Sequence, residues 1–425
     1  MIYNVLMKKY LPTLIIVALP FLYFFLNIDY PVLGKDAADY NNYAVNIIQG
    51  SSYSRTIGGS FDNFREPGYP LFLAMVYLAT GIENLPALMI VQTFLVALIG
   101  LLVYRLFARG GKESLGFVAS VLIVLLPQYG LYTHIVGSEL LFALMLAIFL
   151  SVTVHLCVRG GDSWLFVIYG LLAGCTTLVR LQFLFFLPVI LVFGVLLVKE
   201  RVSIKSAALS IVAFCIVLSS WVGFVYINTG SLSLTSGRRP QVVLHIRAER
   251  SKLSYSNNAR YATDWVKRSL SGGQGSSFLE DNDYHYLQAQ YDKVATTSQV
   301  ISAIEESDKE TIKSNFGRYL FGNFSEFIKL MYIEHDFSDS INKYIRATTY
   351  PVAYLLFAFG LYEVLRKKGK YFSTVAIVSL VFVIYNWLVI TPFDAIPRYN
   401  TPYLFMYILI GFCGIALASE QPSSS

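Results

Sequence analysis

The chain alternates between apolar runs near the length of a membrane span and short polar breaks. A span needs roughly 20 mostly apolar residues. On that measure helices are predicted near 10–28, 86–108, 115–133, 138–158, 164–179, 181–198, 206–228, 347–365, 371–391 and 399–418, about ten in all. The run from Pro67 to Gly81 is too short to cross and is expected to lie in the interface or dip in partway. Lys8 and Lys9 precede the first run, and no small-residue cleavage site follows it. It reads as a retained first helix and not as a cleaved signal peptide.

Two polar segments interrupt this pattern. Asp29–Leu85 carries the charges Asp36, Asp39, Asp62, Arg65 and Glu66, and contains the Pro-rich entry Arg65-Glu66-Pro67-Gly68-Tyr69-Pro70. Thr229–Arg346 is polar and aromatic, with helical stretches predicted near 283–306 and 308–332 and a flexible joint at 271–275. The chain therefore divides into 1–228, a transmembrane module with its outer loop 29–85; 229–346, a small α-rich outer insert; and 347–425, C-terminal transmembrane helices and a tail.

Composition fits an all-α polytopic membrane protein. Of 425 residues, 55% are hydrophobic and 14% charged, against roughly 25% charge in soluble domains. The +6 net charge does not signal nucleic acid, because its excess lies in short turns. With the N-terminus inside, those turns receive Lys8, Lys9, Arg105, Arg109, Lys112, Arg159, Lys199, Arg201, Lys205 and the 366–370 cluster. This is the positive-inside pattern, with both termini cytoplasmic and the two large polar segments outside. Cys157, Cys175, Cys215 and Cys413 lack metal-ligand spacing and read as small core residues.

Charge held beside a bilayer is costly and marks a functional candidate. Asp36, Tyr40, Tyr43 and Ile47 follow helical spacing, while Asp36 and Asp39 are neighbours three residues apart. Asp36 is open to a helix-start reading and Asp39 to a solvated one. Arg65 suits a bidentate grip on phosphate, or it snorkels to headgroups. Glu139 opens a helix after Gly137-Ser138, next to the polar stretch containing Gln128, Tyr129, Tyr132 and His134. Arg180 and Arg398 stand at two other outer turns. Such recurrence suggests one shared outer cavity. No P-loop, Cys/His cluster or G-x-S-x-G motif is present.

At these residues the chain resembles the GT-C superfamily of membrane glycosyltransferases, near protein O-mannosyltransferases and lipid A aminoarabinose transferases. Asp36-x3-Tyr40-x3-Ala44-x5-Gly50, followed by Arg65-x-Pro67-Gly68-Tyr69-Pro70, carries the most specific part of the likeness. Ser138-Glu139-Leu140, Gly170 to Gly174 with Leu178-Val179-Arg180, the Trp221–Gly237 segment and Arg398-Tyr399-x2-Pro402 complete it, although Ser220 stands where proline is usual. The resemblance implies an inverting transfer of a sugar from a polyprenyl-phosphate donor to an acceptor hydroxyl, at the outer face of a bacterial inner membrane. By the same resemblance Asp36 is the general base, Glu139 a second active-site carboxylate, and Arg65 the partner of the lipid phosphate. Tyr40, Asp39, Tyr69, Arg180 and Arg398 are then substrate-binding candidates. The acceptor is a glycan, lipid or protein. Carboxylates and phosphate oxygens also suit Mg²⁺ or Mn²⁺, but no metal ligands are assigned. A polymerase or ligase of lipid-linked glycans is the alternative; a flippase would call for matching broken helices in two halves, which the chain lacks.

Overall fold

The structure is a computed structural model that describes residues 2–26, 36–197, 202–235, 239–271, 281–282, 284–330, 340–367, 370–391 and 399–420. Among the described residues it forms eighteen α-helices and no strand. The helices are α1 (Ile2–Leu26), α2 (Ala37–Ile48), α3 (Gly68–Thr80), α4 (Leu85–Arg109), α5 (Glu113–Val124), α6 (Pro127–Tyr132), α7 (Glu139–Arg159), α8 (Ser163–Val179), α9 (Phe186–Leu197) and α10 (Ile204–Thr229). There follow α11 (Arg239–Ser251), α12 (Tyr255–Ser271), α13 (Tyr284–Val294), α14 (Ser298–Ser314), α15 (Phe316–Leu330), α16 (Ser340–Arg366), α17 (Lys370–Ile390) and α18 (Leu404–Ala418).

By length and composition, Leu85–Arg109, Glu139–Arg159, Ile204–Thr229, Tyr371–Ile390 and Thr401–Ala418 are able to cross a membrane. Shorter apolar helices, among them Tyr10–Phe25, Gly68–Thr80 and Ser163–Val179, accompany them. Many large apolar side chains on these helices, such as Leu14, Leu22, Val212 and Ile216, face outward. An apolar exterior of this kind belongs in lipid; the protein is an integral membrane protein.

Two predicted spans are broken. The run at 115–133 divides into α5 and α6, because Pro127 disfavours helical backbone at Leu126, which is extended with φ −56° and ψ 121°. The run at 181–198 starts instead with a 3₁₀ turn at Leu181–Phe183, after Arg180 has left the helical region at φ −150° and ψ 120°. In the insert, α11 and α12 lie where no helix is predicted, and the predicted 283–306 helix is interrupted between α13 and α14. The cysteines also differ from expectation: only Cys413 is buried, while Cys175 and Cys215 are exposed on apolar helix faces. The joint predicted at 271–275 lies outside the described residues beyond Ser271.

The chain falls into two compact units, 1–236 with 351–383 and 401–425, and 237–350 with 384–400. In the first, Tyr40, Ala44, Tyr69, Leu73, Tyr77 and Leu88 join α2, α3 and α4 in one core. Tyr43, Tyr53, Trp221 and Val225 form another, against which Leu178 packs. Here Trp221 Nε1 donates to the Leu234 carbonyl at 2.8 Å, tying the end of α10 to the chain beyond it. Helices α8 and α10 approach at Gly170, where an added Cβ would lie 2.1 Å from the Ser210 carbonyl oxygen. Small residues at such contacts let membrane helices pack closely. In the second unit, Val242, Ile246, Leu287, Tyr291 and Ala295 form the core of α11 and α13.

Candidate active site

Sequence order brings little of the site together; three local devices do so. The first is the loop after α2. Asn46 is fully buried, and its amide donates to the carbonyls of Ser54 and Thr56 at 2.9 and 3.0 Å while accepting from Gly58 N at 2.9 Å. Asp62 accepts from the backbone of Arg55 and Phe64 and from the Tyr43 hydroxyl. Those hydrogen bonds outweigh the effect of burial and hold its carboxyl below the usual range. Asp62 is thus a loop anchor. Tyr53 then donates to the carbonyls of Arg65 and Glu66 at 3.1 and 3.2 Å, which sets the backbone that carries Arg65.

The second device is a close backbone approach. A Cβ on Gly68 would lie 2.7 Å from the backbone of Leu178 and Val179, so only glycine lets α3 begin there. The contact sets the Arg65-Glu66 turn beside Arg180, and Leu181 N donates to Glu66 Oε1 at 3.4 Å. The third is Gln92, 1% exposed within α4. Its amide donates to the carbonyls of Tyr132, Thr133 and Ile135 at 3.0–3.3 Å. Its carbonyl accepts from Tyr69 OH at 3.0 Å, and that hydroxyl accepts from Gly137 N at 2.9 Å. Gln92 and Tyr69 therefore shape the turn that presents Ser138 and Glu139.

Two arginine–carboxylate groups result. Arg65 donates from Nη2 to Asp36 Oδ1 at 2.6 Å and to Asp39 Oδ2 at 2.8 Å, and from Nε to Asp39 Oδ2 at 3.1 Å. Burial lowers its pKa, yet Tyr40, Asp36 and Asp39 outweigh that and raise it, so the guanidinium stays charged. Asp36 stands at the N-cap of α2 but makes no side-chain cap hydrogen bond; its carboxylate is directed to Arg65. In the other group Arg180 Nη2 meets Glu139 Oε1 at 2.5 Å, and its Nε donates to Ser138 Oγ at 2.8 Å. Glu139 is 5% exposed, and a carboxylate buried so deeply requires such a partner.

Tyr40 links the two groups. The Arg65 guanidinium lies 5.3 Å from its ring centroid, and its hydroxyl is 3.5 Å from Ser138 Oγ. Burial, against the fields of Arg65 and Arg180, pushes the phenol up to about 12. It is a neutral hydrogen-bonding group at physiological pH. Tyr69 packs edge-to-face on Tyr40 at 4.9 Å. Asp36, Asp39, Tyr40, Arg65, Tyr69, Glu139 and Arg180 thus belong to one neighbourhood. Arg398 lies outside the described residues. Asn46, Gln92, Ser138 and Glu66 complete the site; the sequence reading singles out Glu66 as a charge and Ser138 within a motif, without a role for either, and passes over Asn46 and Gln92. Their common signal is a single polar side chain in an apolar or tightly turned context.

No family model matches the chain, and no curated protein matches it. Two solved structures share a loose likeness: ArnT from Cupriavidus metallidurans bound to undecaprenyl phosphate, at 12% identity over 95% of this chain and 77% of that chain with a TM-score of 0.45, and ArnT in the apo state, at 12% identity, the same coverage and a TM-score of 0.44. At such values the likeness assigns no residue a role.

Among the described residues no group of three or more His, Cys, Asp or Glu side chains is placed to hold a metal ion. Asp36, Asp39 and Glu139 are directed to guanidiniums instead.

Proposed function

We propose that the protein is an inverting glycosyltransferase that moves a sugar from a polyprenyl-phosphate donor to an acceptor hydroxyl on the outer face of the membrane. The reading is carried by the Asp36–Arg65 pair at 2.6 Å, joined through Tyr40 to Ser138, Arg180 and Glu139. Two guanidiniums beside carboxylates in a juxtamembrane site match what attack on a sugar phosphate demands. A base must take the acceptor proton, and positive charge must meet the departing phosphate.

In the reaction, the donor phosphate competes with Asp36 and Asp39 for Arg65. Its arrival releases the Asp36 carboxylate toward the acceptor, and that carboxylate takes the hydroxyl proton. The acceptor oxygen bonds to C1 from the face opposite the phosphate while the C1–O bond breaks. The lipid phosphate leaves with the bonding electrons and is steadied by Arg65. Arg180, oriented by Glu139 and Ser138, holds the sugar or the phosphate from the other side. A lipid-anchored donor explains the location at the bilayer edge, since the donor remains in the membrane. The site faces outward from a bacterial inner membrane.

Asp36→Asn tests it. Arg65 retains Asp39, so the fold is expected to survive, and release of lipid phosphate from a panel of polyprenyl-phosphate sugars should fall about 10²–10⁴-fold. Undiminished turnover by the folded variant would remove Asp36 from the chemistry.

A further inference from the structure

Helix α15 carries two apolar faces, and only one of them is packed. On the packed side Phe321 meets the Tyr255 ring edge-on at 5.4 Å, and a Cβ on Gly322 would lie 3.2 Å from Asn258 Oδ1. Arg318 on the same side donates to the Lys252 carbonyl at 3.2 Å. These contacts hold α15 against α12 and the chain that follows α11. On the opposite side Phe316, Leu320 and Phe324 recur at helical spacing and are 56%, 52% and 58% exposed. A helix surrounded by water would turn such a stripe toward a core.

The stripe runs on to the end of a membrane span. The Phe324 and Phe327 rings stack with centroids 6.3 Å apart, and Phe327 packs edge-on against Trp387 at 5.0 Å. Trp387 lies in the last turn of α17, whose Tyr371–Ile390 stretch is long and apolar enough to cross a membrane. Its neighbour Leu388 is 69% exposed, so the lipid-facing surface of α17 continues to that turn. Tryptophan at the end of a span sits at headgroup level, and an amphipathic helix at that level rests its apolar face in the headgroup–acyl boundary. Area argues against a second copy of the chain. Three partly exposed side chains offer roughly 300 Å², whereas a stable protein interface buries about 800 Å² per partner. We propose that the Phe316–Leu320–Phe324 face of α15 docks on the bilayer surface and seats the insert among the headgroups beside the end of α17. The inference is independent of the chemistry proposed for the site.

Electron paramagnetic resonance of a nitroxide on the full chain tests this. Leu320→Cys and Phe324→Cys are labelled in turn, with Lys309→Cys on α14 as the aqueous reference, since that side chain is 55% exposed. Cys157, Cys175 and Cys215 are replaced by alanine, and the buried Cys413 is kept. Each variant is placed as a single copy in a nanodisc of phosphatidylcholine and phosphatidylglycerol. Oxygen concentrates in lipid and a nickel chelate stays in water. The ratio of their relaxation effects should therefore be several-fold higher at positions 320 and 324 than at 309. If Leu320→Cys does not fold, Phe324→Cys decides. A ratio at 320 and 324 equal to that at 309 would leave the face in water and overturn the proposal. Shielding from both reagents, or spin–spin broadening in liposomes that hold many copies, would put protein in place of lipid and overturn it as well.

Discussion

Glu139 depends on a neighbour with no side chain at all. A Cβ on Gly137 would lie 2.5 Å from Glu139 Oε2, within the space its carboxylate uses to reach Arg180. Because the obstructed atom ends a rotatable chain, Gly137→Ala should displace Glu139 without a backbone clash, and Tm should fall as the buried carboxylate loses its fit to Arg180. Transfer activity is expected to drop about ten-fold or more, the cost of misplacing one charge-assisted hydrogen bond. Wild-type turnover in that variant would show that the Glu139–Arg180 contact is dispensable. Asp36, Glu139 and Arg65 are legible from sequence because charge in an apolar chain stands out. Asn46 and Gln92 are not. A single amide has no periodicity, and its importance lies in which carbonyls it reaches.

The pairing of α3 with the end of α8 determines where Arg180 sits. Gly68→Ala would drive a methyl to 2.7 Å from main-chain atoms of Leu178 and Val179; backbone cannot rotate away as a side-chain end does. Overpacking of this kind costs roughly 1–3 kcal/mol, so both Tm and activity should fall, and a thermal-shift assay paired with lipid-phosphate release reads the two. An unchanged Tm would mean that the helices separate without penalty. Apolar run length places most helices within a few residues, as at α4, α7, α8 and α10. It fails at Pro127, where local backbone sterics override a continuous apolar run. It fails again in the insert, where α11 and α12 are too polar to stand out and pack by one face only.

For the whole molecule, the distribution of Lys and Arg predicts sidedness, and on that expectation the site charges lie on the outer side. Arg55 in the first polar loop is 44% exposed at its side chain. Arg55→Cys should react with a membrane-impermeant maleimide in intact spheroplasts and be protected in inverted vesicles. Labelling in the opposite preparation would place the loop, and the proposed chemistry, in the cytosol.

Hydropathy by itself determined that this chain lives in a bilayer, roughly where it crosses, and which two polar segments stand apart, because water-to-lipid transfer acts on each run separately. Its rare charges, too, were visible as a set. Only tertiary structure decided that Arg65 faces Asp36 and Asp39, that Arg180 turns to Glu139 and Ser138, and that α15 of the insert meets Trp387 through Phe327. Such pairings depend on distances of a few ångströms between segments far apart in the chain, and these arise from glycine contacts and buried amides that leave almost no trace in a hydropathy pattern.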